Sequence, residues 1–179
     1  MVAITSALLA CFKQPFQNGA INDSGSQTSS SCKFCHASVE NGFNVVYEDE
    51  LFLAFQDRRP AAQHHYLVIP RKHIESVKDL TQSDDVAVKR MNEVGHTVLD
   101  NLGVPDNMRK TGFHIPPFNS VYHLHLHVHG LPYVSRNRAA KYPVAPGANG
   151  NSKGLSWFVE TRQAIQILER GKRVGLLPC

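Results

Sequence analysis

Four histidines alternate with aliphatic residues in one short segment of the sequence. They occupy positions 123, 125, 127 and 129 within Ser120–Gly130, and Leu124, Leu126 and Val128 fill the gaps. Successive side chains of a β-strand point to opposite faces, so a strand would collect the four imidazoles on one face. A sheet face gains little from repeated, partly charged rings, whereas imidazole serves well as a nucleophile, a proton carrier or a metal ligand. The segment is therefore predicted to be an active-site strand.

Two cysteines indicate a second centre. Cys32 and Cys35 have the spacing of half a zinc site, and a tetrahedral zinc ion would need two further nitrogen or sulfur ligands. His36 is one candidate ligand, and the alternative is that both thiols are free and partly buried. Cys11 and Cys179 lie near the ends, so the four cysteines do not form a disulfide framework. This pattern favours a reducing compartment, the cytoplasm or the nucleus.

The composition is that of one globular domain. The chain has 179 residues, of which 42% are hydrophobic and 19% charged, and a formal net charge of +4 that would help to attract anionic ligands. No run approaches the roughly 20 apolar residues of a membrane span. The apolar stretch Val2–Phe12 is short and lacks a preceding basic residue, so it is not expected to be an export signal.

The remaining elements are predicted from periodicity and turn signals. Short strands are expected at residues 44–47, 51–55, 66–69 and 109–114, and the last of these leads through Pro116-Pro117 into the histidine segment. Apolar residues at helical spacing (Ala87, Met91, Val94, Val98 and Leu102) predict a long helix that ends at Gly103. A loop over 131–154 and a helix over Ser156–Arg170 follow, the helix with Trp157, Phe158, Ala164, Ile165 and Leu168 as buried candidates. The predicted class is α+β: an antiparallel sheet of about five strands, one long helix and a C-terminal helix.

The histidine segment resembles the signature of the histidine triad family, in which three histidines alternate with apolar residues and two apolar residues follow. His123–His129 fills this pattern, except that His129 takes the last apolar place. Further resemblances occur in order at Cys32–Cys35, Phe55–Asp57, His64–His73 and Gly112–Phe118, so that about 100 of the 179 residues are covered. The last of these is most similar to the adenosine 5'-monophosphoramidase type of the nucleotide-binding branch. Residues 13–31 are rich in Asn, Gly, Gln and Ser, so a flexible tail is expected at 1–31. The resemblance implies a histidine triad domain at 32–179, with its core at 32–130 and a C-terminal loop and helix at 131–179.

The resemblance also implies a reaction, hydrolysis of adenosine 5'-monophosphoramidates and acyl-adenylates with release of AMP. By position, His125 would attack the α-phosphate and form a covalent nucleotidyl-histidine. His127 would bind the non-bridging oxygens or hold a proton, His65 would face the phosphate, and Ser120 would help to protonate the leaving group. The implied substrate-binding residues are Asp57 at the ribose and the slot residues Phe34, Phe55 and Leu67 at the base. Related deadenylases carry a histidine at the place of His114, which would either assist the leaving group or be a surface residue. Arg58 replaces an aliphatic residue of the relatives, which leaves the base preference open.

A structural zinc ion, a homodimer and a reaction that needs no cofactor are further implications. The zinc ligands would be Cys32, Cys35, His73 and His123. Two alternatives stay open: a deadenylase of nucleic-acid 5' ends similar to aprataxin, and an adenine-nucleotide sensor without turnover. The first is permitted by Gly112–Pro116, but its relatives add a zinc finger after the triad, and beyond Gly130 this chain has only Cys179 and no histidine. The sensor would not need a nucleophile, so this alternative leaves His125 unexplained.

Overall fold

The computed structural model describes residues 31–179, so the predicted tail, except Ser31, lies outside the described residues. The strands are β1 (Val45–Glu48), β2 (Phe52–Gln56), β3 (Ala62–Pro70), β4 (Arg109–His114), β5 (Leu126–Tyr133) and β6 (Phe158–Glu160). The helices are α1 (Asp85–Asn101), α2 (Arg136–Ala139) and α3 (Thr161–Glu169), and short 3-10 turns occupy Lys33–His36, Gln82–Asp84 and Asp106–Met108. Within the described part of the chain, no helix has the length and apolar character needed to cross a bilayer.

The strands form one antiparallel sheet in the order β1-β2-β3-β5-β4-β6, which confirms the predicted α+β class. The sixth strand comes from a segment that was expected to begin the C-terminal helix. Phe158–Glu160 pairs with β4, with Phe113 opposite Val159, and α3 begins only at Thr161. Trp157 precedes this strand and is 39% exposed, so its predicted burial is wrong.

The histidine segment lies at the centre of the sheet. β5 pairs with β3 on one side and with β4 on the other, as expected for residues 109–114. Regular pairing begins at Leu126, so His123 and His125 belong to the segment that leads into the strand. The intervening Leu124, Leu126 and Val128 all lie in the main core, and the histidines occupy the opposite face.

Helix α1 covers the core face of the sheet. It buries Val88, Met91, Val94, Gly95, Val98 and Leu99. Leu102 lies beyond the end of the helix and is 41% exposed, so Leu99 takes the buried place predicted for it. A Cβ at Gly95 would lie 2.7 Å from a methyl carbon of Val128, so this glycine allows α1 to approach the histidine strand closely. Helix α1 therefore packs directly against the core face of β5.

Candidate active site and metal-binding cluster

His125 presents an unprotonated nitrogen. Its Nδ1 lies 2.6 Å from the carbonyl oxygen of His123, and a carbonyl only accepts, so Nδ1 carries the proton and donates. The Nε2 lone pair is therefore available. Burial lowers the pKa of His125 to about 4, so the ring is neutral near pH 7. A neutral imidazole with a free Nε2 is the form required of a nucleophile.

Three further histidines form a continuous hydrogen-bonded chain, which we call the histidine relay (His65, His127 and His114). At its start, the backbone N–H of Ala61 donates to Nδ1 of His65 over 3.1 Å. The Nε2 of His65 lies 2.9 Å from Nδ1 of His127, and Nε2 of His127 lies 3.0 Å from Nδ1 of His114. At its end, Nε2 of His114 donates to the carbonyl oxygen of Lys141 over 2.9 Å. Each ring can thus donate from Nε2 and accept at Nδ1.

The relay is uncharged near neutral pH. Burial lowers the pKa of His65 to about 4 and that of His127 well below its usual value of 6.5. Burial also lowers the pKa of His114, whose ring is half-buried. The ring centroids of His127 and His125 are 5.0 Å apart, so the relay lies directly beside the nucleophile.

His129 lies apart from both arrangements although it shares their face. It is fully buried, and neither ring nitrogen has a hydrogen-bond partner among the described residues. Burial lowers its pKa to about 2, which keeps the ring neutral. Its ring packs 4.3 Å from that of His65 and 4.4 Å from that of Tyr142, measured between centroids. His129 therefore packs against the relay, and one of its ring nitrogens lies within 4.8 Å of a ring nitrogen of His65 and one of His127.

A cluster of apolar side chains, which we call the apolar slot (Phe34, Phe55 and Leu67), lies beside His125. Phe55 and Leu67 are buried on neighbouring strands, and the half-buried ring of Phe34 lies 5.2 Å from that of Phe55 and 5.5 Å from that of His125. The structure thus brings the three predicted slot residues together next to the predicted nucleophile. A slot of this kind can accept the flat face of a nucleobase.

Asp57 follows β2 at the edge of the histidine face. Its Oδ1 accepts a hydrogen bond from the backbone N–H of Arg59 over 2.7 Å, which fixes the carboxylate in a turn. Its Oδ2 lies 3.6 Å from Nε2 of His65. Arg58 is exposed beside it. One carboxylate oxygen therefore remains near the relay and is able to accept from a hydroxyl.

Ser120 lies on the connection between β4 and β5. It is exposed, three residues before His123. Its hydroxyl is therefore accessible to solvent, and it lies on the same connection as His123 and His125.

Residues of the predicted loop cover the relay, which the sequence did not indicate. The ring of Tyr142 lies 4.9 Å from that of His114 and 5.3 Å from that of His127. The carbonyl of Lys141 accepts from His114 and also from the indole N–H of Trp157 over 3.2 Å. Tyr142 stands in a segment rich in Pro, Gly and Asn, where no periodic signal would have identified it.

The four predicted metal ligands converge. Nδ1 of His123 lies 3.4 Å from Sγ of Cys32, 3.6 Å from Sγ of Cys35 and 3.3 Å from Nδ1 of His73. Nδ1 of His73 lies 3.2 Å from Sγ of Cys35. A tetrahedral zinc ion with ordinary bond lengths requires about 3.6 Å between sulfur and nitrogen ligands and about 3.3 Å between two nitrogens. All four ligand atoms lie within 4.8 Å of one another. The geometry fits a four-coordinate zinc ion.

Two features support this donor set. Nε2 of His123 donates to the carbonyl oxygen of Pro70 over 2.9 Å, which directs the Nδ1 lone pair into the cluster. His36, the competing candidate, is exposed and lies outside the group of converging ligand atoms. The same backbone segment thus serves the cluster through His123 and the candidate active site through His125.

The sequence and fold are similar to those of known proteins. The family described as "Scavenger mRNA decapping enzyme C-term binding" matches residues 31–142. The bifunctional adenosine 5'-phosphosulfate phosphorylase/adenylylsulfatase HINT4 of Arabidopsis thaliana is 47% identical over 116 residues, which are 63% of this chain and 78% of the relative. The adenosine 5'-monophosphoramidase HINT3 of Danio rerio is 36% identical over 166 residues, which are 91% of this chain and 95% of the relative. A solved HIT family hydrolase from Clostridium thermocellum matches with a TM-score of 0.54 and 28% identity, over 60% of this chain and 96% of its own.

Proposed function

The chain belongs to the histidine triad family, and we propose that it hydrolyses adenosine 5'-monophosphoramidates and acyl-adenylates with release of AMP. The observation that carries this proposal is the free Nε2 of His125, which the hydrogen bond to the His123 carbonyl and the lowered pKa keep unprotonated. Similarity to the adenylylsulfatase and the monophosphoramidase supports the substrate class. A binding protein without turnover would have no need of a nucleophile held in this state.

The proposed reaction has two steps. In the first, Nε2 of His125 attacks the α-phosphorus, the bond from phosphorus to the leaving nitrogen breaks, and that nitrogen receives a proton through the Ser120 hydroxyl. In the second, water attacks the phosphorus, the bond to Nε2 breaks, and the proton lost by water returns to Ser120. AMP and the free amine are the products. His127 would share its one N–H, on Nε2, between Nδ1 of His114 and a non-bridging oxygen, and His65 supports the ring through its hydrogen bond to Nδ1.

Recognition of the nucleoside is assigned to the slot and to Asp57. The adenine ring would lie on the surface of the apolar slot, against Phe34, because the rings of Phe34 and Phe55 already pack together with centroids 5.2 Å apart. The ribose hydroxyls would donate to Asp57, where charge assistance strengthens the bond. Arg58 is exposed beside the carboxylate, and kcat/KM for matched adenosine and guanosine phosphoramidates measures the base preference.

We further propose that Cys32, Cys35, His73 and His123 hold a structural zinc ion. Four protein ligands would close the coordination sphere, so the ion would stabilise the fold and would not activate water. It would connect the N-terminal 3-10 turn to the segment before β5. No step of the reaction uses it.

We also propose an oligomeric state and a cellular compartment for the protein. The resemblance implies a homodimer, and light scattering from the purified protein tests it. β6 pairs with Gly112–His114, so β4 has no free edge for a partner subunit, and the free edges of the sheet are those of β1 and β6. We propose the cytoplasm or the nucleus, because thiolate ligands persist in a reducing compartment.

Steady-state hydrolysis tests the function. Wild-type protein mixed with an adenosine phosphoramidate should release AMP and amine in equal amounts, and His125→Ala should lose this activity by orders of magnitude yet still bind AMP. Turnover of a 5'-adenylated DNA strand in preference to the small substrate would favour the deadenylase alternative. AMP binding by wild-type protein with no release of product would favour the sensor.

A further inference from the structure

We propose that His114 is a positioning residue, which fixes the direction of the His127 N–H before substrate binds. The proposal rests on the proposed function and adds to it, because the resemblance left His114 either near the leaving group or at the surface and gave it no partner. In the structure its partner is a predicted active-site residue: Nδ1 of His114 lies 3.0 Å from Nε2 of His127. His114 would therefore act through His127.

The two ends of the histidine relay determine where its protons lie. At one end the backbone N–H of Ala61 can only donate, so Nδ1 of His65 must accept. At the other end the carbonyl of Lys141 can only accept, so Nε2 of His114 must donate. A reversed arrangement would set two N–H groups face to face at Ala61 and two lone pairs face to face at Lys141. One order of protons satisfies every atom, and it places the His127 proton on Nε2.

Further contacts hold the Lys141 carbonyl, which accepts the last hydrogen bond of the histidine relay. The carbonyl of Lys141 accepts from the indole N–H of Trp157 as well as from His114, and the next carbonyl, that of Tyr142, accepts from the ammonium of Lys110 over 2.7 Å. The ring of His114 also packs against those of Tyr142 and Phe158, with centroids 4.9 and 5.3 Å away. A histidine fixed by two hydrogen bonds and two rings can hold its neighbour in place.

The functional consequence concerns the phosphate oxygens. Stabilisation of developing charge is strongest when the donor is oriented before the reaction and need not reorganise during it. His114 orients the His127 ring from the Nε2 side, while His65 orients it from the Nδ1 side. Removal of His114 leaves the His127 N–H without its acceptor. The chemical step should then slow, with little effect on substrate affinity.

Two substitutions of His114 distinguish a positioning role from a purely structural role. In H114N the side-chain oxygen can take the place of Nδ1, which keeps the acceptor for His127 and gives up the bond to Lys141. In H114Q the longer amide can reach the place of Nε2, which keeps the bond to Lys141 and gives up the acceptor for His127. H114Q should lower kcat by about tenfold with little change in KM, the rate equivalent of one lost hydrogen bond. H114N should recover the larger part of that loss.

NMR of the nitrogen-bound ring protons provides a readout without substrate. Wild-type protein should show a slowly exchanging proton on Nε2 of His127, H114N should retain it, and H114Q should lose it while the fold is unchanged. Trp157→Phe, which removes the other donor to the Lys141 carbonyl, should lower kcat less than H114Q and leave the His127 proton in place, because His114 keeps both of its hydrogen bonds. Equal losses of kcat in H114N and H114Q, or a retained His127 proton in H114Q, would overturn the proposal. If wild-type protein hydrolyses no adenylate, the proposed function fails, and the NMR result still decides the positioning of His127.

Discussion

The backbone carbonyl of His123 accepts the Nδ1 proton of His125 over 2.6 Å, so a proposed metal ligand also orients the proposed nucleophile. The side chain of His123 points to the cysteine cluster, with Nδ1 3.4 Å from Sγ of Cys32. The side chain of His125 points to the apolar slot and to His127. The segment from His123 to His125 therefore connects the proposed metal cluster to the proposed nucleophile.

The first prediction concerns the metal. Cys32→Ser or His73→Ala should reduce zinc content from about one ion per chain and should lower the melting temperature at the same time. A loss of about 2 kcal/mol corresponds to roughly 4–8 °C for a chain of this size. Elemental analysis and calorimetry on the same samples provide the measurement. The fraction of protein that stays folded should keep its activity, because the proposed ion would take no part in the reaction.

Exposed His36 provides the control for that experiment. His36→Ala should change neither zinc content nor melting temperature, since His36 lies outside the cluster. Wild-type protein that is purified without metal, and that keeps full stability and activity, would show that the cysteines are bystanders.

The second prediction concerns the ribose. Asp57→Ala should weaken binding of ribonucleotide substrates by about 1–3 kcal/mol, the cost of losing hydrogen bonds to a charged acceptor. The 2',3'-dideoxy analogues should be unaffected, because they lack the donors. Comparison of KM and kcat/KM for both series provides the measurement. An equal loss in both would assign Asp57 to the fold, through its turn with Arg59.

The third prediction is acid sensitivity. Burial lowers the pKa of His65 from 6.5 to about 4 in the folded protein. As pH falls below about 6.5, the unfolded chain binds a proton that the folded chain does not, so the free energy of unfolding decreases until pH reaches about 4. For His65 alone the full decrease is about 3 kcal/mol. Urea denaturation at a series of pH values measures it.

A variant isolates the contribution of His65. His65→Asn retains an acceptor for the Ala61 N–H and removes the titrating ring, so its stability should depend less on pH between 6.5 and 4. His64→Asn, at the next residue of β3, is the matched control and should follow the wild-type curve. Parallel curves for wild-type protein and His65→Asn would contradict the assignment.

The fourth prediction concerns His129. Its ring nitrogens are buried without a partner among the described residues, and an unsatisfied buried polar group costs about 1–3 kcal/mol. His129→Leu replaces the ring with an apolar group and should raise the free energy of unfolding by about 1 kcal/mol, with turnover unchanged. His129→Asn, which keeps a polar group in the same place, should destabilise the protein. Destabilisation by leucine as large as that by asparagine would mean that the ring has a partner.

The sequence predicted the two faces of the histidine segment, because histidines and aliphatic residues alternate there. The two-residue period placed Leu124, Leu126 and Val128 in the core and the histidines on the other face, as the structure confirms. The bounds of β4 were also predicted, because the Pro116-Pro117 turn ends it. The register of His127 opposite Gly112 then follows from antiparallel pairing.

Contacts between distant parts of the chain could not be predicted from local pattern. β6 has only three residues, and its strand conformation depends on pairing with β4. Tyr142 reaches the relay only because of the path of the loop before it. The metal cluster joins Cys35 to residues 38 and 88 positions away, so spacing alone identified half of it and the resemblance supplied the rest.

The covalent intermediate tests the central claim most directly. Wild-type protein should be mixed with less than one equivalent of an adenosine phosphoramidate, quenched within milliseconds to seconds, and analysed by intact mass and peptide mapping. We expect a transient species heavier by one adenylyl group, attached to the peptide that contains His125 and absent from His125→Ala. Release of AMP by wild-type protein with no adduct at any time, or an adduct on another residue, would contradict the assignment of His125 as the nucleophile.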